Sequence, residues 1–155
     1  MNINLVFPMA GLNHLSEELG YPYPAPLVEI HGKTLIELVI NQFDQLPYNI
    51  FYTFIVSKKD CLAFSLDKSI LSACSNKSIN IVSLDKPTDG ALCSTMMAID
   101  VIEKNNPIII SNYDQLFSNK LLFSFLNDVI KDEVSAAIPV FESHHPRWSY
   151  ILNDK

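Results

Sequence analysis

The sequence predicts an α/β fold, a three-layer α/β/α sandwich around a mostly parallel sheet, on three observations. Short β-rich runs alternate with segments of helical period along the chain, the pattern produced by parallel strands with helical crossovers. Residues 34–46 place Leu35, Leu38, Val39, Gln42, Phe43 and Leu46 at helical spacing, one face for a sheet, with Glu37, Asn41 and Asp44 left to water. The run "PIIIS" (107–111) has no polar alternation, as expected for a central parallel strand covered on both faces.

In chain order, "INLVF" (3–7) opens as a strand, and the stretch "PMAGLNHLSEELGYPYPAP" (8–26) that follows is a loop whose Pro and Gly break regular structure. The helix "TLIELVINQFDQL" (34–46) leads to a strand "IFYTFIV" (50–56), a helix over 58–74 and a strand "INIVSL" (79–84). A helix over 90–104, the strand 107–111, a helix over 119–131 and strands over 134–141 ("VSAAIPVF") and 147–152 complete the pattern. No internal repeat, low-complexity tract or linker interrupts it, so residues 1–155 read as one domain.

Bulk composition narrows the function classes. With 48% apolar and 18% charged residues, the chain reads as a compact globule rather than a disordered one. Eleven basic against 17 acidic residues give a net charge of −6, so no basic field draws in nucleic acid or an anionic membrane. Any anionic ligand must be held locally. The start "MNINLVFPMAG" lacks a basic leader and a long apolar run, which points to a cytoplasmic protein without signal peptide or membrane span. Cys61, Cys74 and Cys93 form no CxxC or Cys/His cluster and read as reduced, buried small residues rather than a zinc site. His144 and His145 are sequence neighbours, would point to opposite sides of a strand, and do not share a metal.

Open sheets of this type bind ligands beyond the carboxyl ends of their strands, where the strand order reverses. The candidate site therefore lies in the loops after residues 7, 84 and 111. The first continues as "FPMAGLNHLSEELGYPYPAPLVEIHGKTLIELVI", the second reads "SLDKPTDGALCSTMMAI" and the third "IIISNYDQLF". In order and spacing these loops, with "HPRWSY" (145–150), resemble the N-terminal nucleotide-binding half of bacterial sugar-phosphate nucleotidyltransferases, particularly those of capsule and surface-polysaccharide biosynthesis. The likeness runs over nearly the whole chain and implies a Rossmann-like architecture related to the glycosyltransferase-A fold.

That resemblance implies attack by a phosphorylated sugar or related metabolite on the α-phosphate of a nucleoside triphosphate, with release of pyrophosphate. Catalysis of that kind rests on positioning and on neutralising phosphate charge. It also implies residue roles. The backbone of Met9, Ala10 and Gly11 would approach base and phosphates, Thr88, Gly90 and Ala91 would wall the base with Asp89 as a further polar reader, Asp114 would coordinate Mg2+, and Arg147 and Trp148 would stand on the substrate side. Each has a structural competitor: Gly11 as a turn residue, Thr88 or Asp89 as the N-cap of the next helix, Asp114 as a cap of the helix from about 118.

Members of that family typically carry a glycine, a small polar residue and an arginine in the first loop and a lysine in its closing turn. This chain has Asn13, His14, Leu15 and Ala25 there. No Lys or Arg precedes Lys33, while Glu17, Glu18 and Glu29 add negative charge. Opposite unit charges about 4 Å apart gain roughly 4 kcal/mol at an effective dielectric near 20, so the missing pair implies impaired turnover. His14, Lys33 and Lys86 are the remaining candidates for a substitute cation. Family members also continue beyond the point corresponding to Lys155, so the strands over 134–141 and 147–152 are expected to leave an exposed edge, covered by further chain, another copy or a partner. Three readings follow: an active or impaired nucleotidyltransferase, a non-catalytic nucleotide-binding, regulatory or assembly domain, and a metal-dependent glycosyltransferase. The last is weakened because "NYDQ" has no D-x-D pair.

Overall fold

The computed structural model describes residues 1–11, 20–132, 134–145 and 149–151. They fall into two compact units, Met1–Asn119 and Lys120–Lys155. The first contains a parallel sheet of four strands: β1 (Asn2–Pro8), β4 (Asn49–Ser57), β5 (Ser78–Leu84) and β6 (Ile108–Ile110), in the order β5-β4-β1-β6. Register is set by pairs such as Phe7↔Phe54, Phe54↔Ile81 and Val6↔Ile110. Chain order runs outward from β1 through β4 to β5 and then returns to β6 on the other side of β1, so the order reverses between β1 and β6.

Alternation along β1 and β4 separates the two faces of this sheet. Phe7 stacks on Phe54 with ring centroids 5.2 Å apart and meets Phe43 edge-on at 5.9 Å, so this face packs on helix α1 (Leu35–Asp44). Val6 and Ile55 turn to the other face and join Ala10, Ala98 and Ile102 in a second apolar cluster, beneath helix α4 (Ala91–Met96) and the turns after it. Helices α2 (Lys58–Phe64) and α3 (Leu66–Ala73) connect β4 to β5, with Leu66 and Ile70 of α3 buried. A mostly parallel sheet with flanking helices is thus the α/β architecture the sequence predicts.

Helix α1 starts at a capping box. The Thr34 hydroxyl accepts from the Glu37 amide at 3.4 Å, and the Thr34 amide donates to the Glu37 carboxylate at 2.6 Å. That amide, followed by the Thr34 hydroxyl and Lys33, holds the Glu37 carboxyl below its ordinary range. The buried face is Leu35, Ile36, Val39, Ile40, Gln42 and Phe43; Leu38 is only half-buried. Asp44 is exposed as expected, and it also accepts from the Tyr52 hydroxyl at 2.7 Å and pairs with Lys77.

The turn before α1 is a hairpin, β2 (Glu29–Ile30) with β3 (Lys33–Thr34), whose His31 and Gly32 both have positive φ, 49° and 76°, as a type I′ turn requires. Several expectations are corrected. The helix over 58–74 breaks at Ser65, which sits in the left-handed region at φ 54°. The helix over 90–104 ends at Met96, after which i→i−3 bonds such as Ala98 N to Thr95 O tighten the chain into turns. β6 borders only β1 among the described strands and leaves Ile108 and Ile110 about half exposed; an unbroken apolar run reads alike at the centre and at an edge. Of the three thiols, none of them in a disulfide, only Cys74 is buried, and Cys93 is exposed on the outer side of α4.

The second unit holds nearly all of helix α5 (Asn119–Lys131), with Leu122 and Leu126 buried. Residues 134–141 form no strand. No described strand pairs with them, and Pro139 has no amide to give a ladder. His144 and His145 therefore lie outside any strand, exposed. The strand expected over 147–152 falls partly outside the described residues, and 149–151 are not in a strand. No helix among the described residues is long and apolar enough to cross a membrane.

Candidate functional site

Parallel pairing puts the carboxyl ends of β1, β4, β5 and β6 at one end of the sheet. At the reversal, the Ser111 amide donates to the Val6 carbonyl at 3.0 Å, so the loops carrying Gly11 and Asp114 leave from adjacent strands. β5 lies two strand spacings from β1, roughly 10 Å, and the Thr88–Ala91 turn follows it.

The first loop begins in the core. Met9 and Ala10 are each only 4% exposed, and the Met9 amide is already used, donating to the Ile55 carbonyl at 2.7 Å. Gly11 is exposed, and a Cβ built there meets no described heavy atom within 4 Å. Asn13, His14 and Leu15 lie outside the described residues, as do Arg147 and Trp148. The chain returns at Gly20 and enters a short 3-10 turn, Ala25–Leu27, in which Ala25 is 1% exposed.

In the second loop Gly90 holds φ 126° and ψ 174°, a conformation that side chains disfavour. Neither Thr88 nor Asp89 caps α4, because Gly90 is the N-cap and no side chain bonds there. The Thr88 hydroxyl instead donates to the Gly90 carbonyl at 3.1 Å and lies 2.5 Å from the Ser94 hydroxyl, fixing the turn. Asp89 and Ala91 are exposed.

The third loop brings Asp114 out as an exposed carboxylate. Beside it the Tyr113 hydroxyl is pushed up to about 12, by burial first and then by the charges of Asp114 and Asp60. Burial also raises the Asp60 carboxyl in the first turn of α2, so the two acids and the phenol lie in one electrostatic neighbourhood. No group of three or more His, Cys, Asp or Glu converges among the described residues. A single exposed carboxylate suits Mg2+, which takes most of its coordination from phosphates and water, and does not suit a protein-caged zinc.

Two features escape the three-loop reading. Lys58, directly after β4, donates to Asp85, directly after β5, at 2.7 Å. Asp85 keeps the Lys58 ammonium above its ordinary value. The carboxyl-end rule applied to the loop after residue 56 would have found this cation. Lys33 and Lys86 are both exposed, Lys33 on the hairpin and Lys86 after β5. The other feature is Gln42, 6% exposed: its Nε2 donates to the Gln115 carbonyl at 3.1 Å, and its Oε1 accepts from the Phe117 amide at 2.8 Å. Cavities of about 210 Å3 beside Asp44, Tyr52 and Lys77 and of about 470 Å3 beside Tyr23 and Phe64 lie elsewhere, and neither is lined by Gly11, Thr88 or Asp114.

No protein-family model and no curated protein matches the sequence. Solved structures do. A nucleoside-diphosphate-sugar pyrophosphorylase from Vibrio cholerae superposes with a TM-score of 0.59 at 23% identity, over 74% of this chain and 50% of its own. A UDP-glucose pyrophosphorylase complexed with UDP-glucose gives 0.62 at 16% identity, over 86% and 55%. A 4-diphosphocytidyl-2C-methyl-D-erythritol synthase gives 0.54 at 15% identity, over 87% and 55%. The chain spans about half the length of these structures and shares the fold of sugar nucleotidyltransferases.

Proposed function

We propose that this chain is a nucleotidyltransferase-like domain of sugar-phosphate or related phospho-metabolite activation that binds a nucleoside triphosphate with Mg2+ and has impaired turnover. One observation carries the reading: Gly11 and Asp114 leave adjacent strands at the point where strand order reverses, with the Gly90 turn on the same end of the sheet. The base lies against Thr88, Gly90 and Ala91, and the phosphates run from the Met9–Gly11 backbone toward Asp114. By the resemblance, Arg147 and Trp148, outside the described residues, would serve the substrate. Bound Mg2+ would supply charge neutralisation on the phosphate oxygens. The chain's own part is to place the acceptor oxygen for bond formation at the α-phosphorus while the bond to pyrophosphate breaks.

Impairment rests on charge. Leu15 and Ala25 stand where the resembled enzymes carry cations, and Ala25 is buried rather than presented to solvent. Lys58, directly after β4, is occupied by Asp85, and Lys86 is exposed after β5. The setting we infer is cytoplasmic capsule or surface-polysaccharide biosynthesis. A regulatory or assembly role is the second reading, favoured by the half-exposed Ile108 and Ile110 on β6, an edge suited to a second copy or a partner.

Calorimetric titration with ATP, CTP, GTP and UTP, with and without Mg2+, tests binding, and pyrophosphate release with a panel of sugar phosphates tests turnover. Binding without release is expected. Robust release overturns impairment, and no binding of any of the four overturns the nucleotide reading. Leu15→Arg is expected to raise nucleotide affinity on the order of tenfold, and unchanged affinity removes this loop from the phosphates; Ala25→Lys, which puts a charge at a buried position, is expected to cost stability instead.

A further inference from the structure

An amide on the apolar face of a helix is costly unless both its ends are bonded. Gln42 occupies such a place on α1, flanked by buried Val39 and Phe43. Both ends of its side chain are spent on one target 73 and 75 residues away. The donor takes the carbonyl of Gln115, the residue after Asp114, and the acceptor takes the amide of Phe117, so a single side chain spans the turn at Leu116. Asp114 and Leu116 themselves are exposed, and a second tie near the turn comes from Asn119, whose side-chain amide donates to the Gln45 side chain. The far side of the clamp is rigid, because α1 is fixed at its start by the Thr34–Glu37 box and near its end by Phe43 against Phe7.

We infer that Gln42 is a positioning residue for the metal carboxylate. It transmits the placement of α1 on the sheet to the Asp114 loop and holds Asp114 where a phosphate-bound divalent cation can reach it. This rests on the metal-site reading of Asp114 given above. A leucine or methionine would fill the same space and leave the loop free to shift.

The test is Mn2+ binding followed by electron paramagnetic resonance, in the presence of ATP, CTP, GTP or UTP in turn, on the wild type, Asp114→Asn, Gln42→Met and the double variant. Hydrogen exchange at the Phe117 amide reports the clamp, and thermal unfolding reports the fold. Gln42→Met is expected to expose Phe117 to exchange and weaken Mn2+ about tenfold. Asp114→Asn should weaken it at least as much, and the double variant no further, since one residue acts through the other. Wild-type Mn2+ affinity in Gln42→Met beside a weakened Asp114→Asn overturns the positioning role and leaves the metal site standing. Wild-type affinity in Asp114→Asn overturns the metal reading, and the positioning role with it. Should Gln42→Met fail to fold, Gln42→Glu keeps the acceptor for Phe117 and loses the donor. It is then expected to weaken Mn2+ about tenfold, and unchanged affinity overturns the role.

Discussion

The two ends of the sheet use their polar groups in opposite ways. At the amino end, Asp44, Tyr52 and Lys77 close on one another. The Tyr52 hydroxyl donates to Asp44, Lys77 pairs with the same carboxylate, and its ammonium sits 5.7 Å from the centre of the Tyr52 ring. Burial, then the bond to Asp44, drives the Tyr52 hydroxyl far above its ordinary range. At the carboxyl end, beside the exposed Lys58–Asp85 pair, Asp114 and Asp89 face solvent and Gly90 holds a conformation few residues adopt. A polar group whose partners lie within the fold serves stability, whereas one held in place but left open is available to a ligand.

This contrast can be broken by substitution. Asp44→Ala has the largest expected effect, about 2–3 kcal/mol of stability, because the buried Tyr52 hydroxyl loses its acceptor; urea unfolding measures it, and nucleotide binding should not change. Gly90→Ala forces a side chain into a strained backbone and is expected to cost about 1–3 kcal/mol, with weakened nucleotide binding measured by calorimetry. Thr34→Ala removes the cap of α1 for about 1 kcal/mol. It also removes the hydroxyl's share of an acid-sensitive contribution, the larger share from the residue-34 amide remaining. Glu37 has a lowered carboxyl in the folded state, so its stabilisation is complete above the unfolded value and fades as pH falls through the folded one. Stability curves of wild type and Thr34→Ala should therefore converge toward acid pH. Asp114→Asn is expected to leave stability within about 0.5 kcal/mol while the Mg2+-dependent part of nucleotide binding drops. Lys58→Ala, at an exposed pair, should leave the melting temperature unchanged; a shift in nucleotide affinity there would make Lys58 a ligand contact.

The strands that build the sheet were legible because β1, β4 and β5 each announce themselves as β-rich runs between turn residues. β6 was legible as a strand but not in its place, since "III" reads the same whether one neighbour pairs with it or two. The helix over 90–104 was overextended for a related reason: Ala98 and Ile102 keep an apolar period through turns bonded at i→i−3. The expected strand over 134–141 is β-rich in composition, but no strand among the described residues pairs with it in a ladder, and pairing is what makes a strand. At the site, the spacing of loops after parallel strands was readable. The partners of Gln42 were not, because a helical pattern records which face a residue is on and nothing about a carbonyl 73 residues away.

Asn4, buried in the middle of the sheet, donates its side-chain amide to the carbonyls of Glu103 and Asn106 at 2.9 and 3.3 Å and accepts from the Glu103 amide at 3.3 Å. β1 therefore bonds to segments made 99 and 102 residues later. At ordinary rates of synthesis that is a delay on the order of 5–20 s, during which one flank of β1 has no neighbour. Such distant closure makes for slow folding, and it places the aggregation-sensitive moment of this protein's life on the nascent chain, before Asn106 emerges.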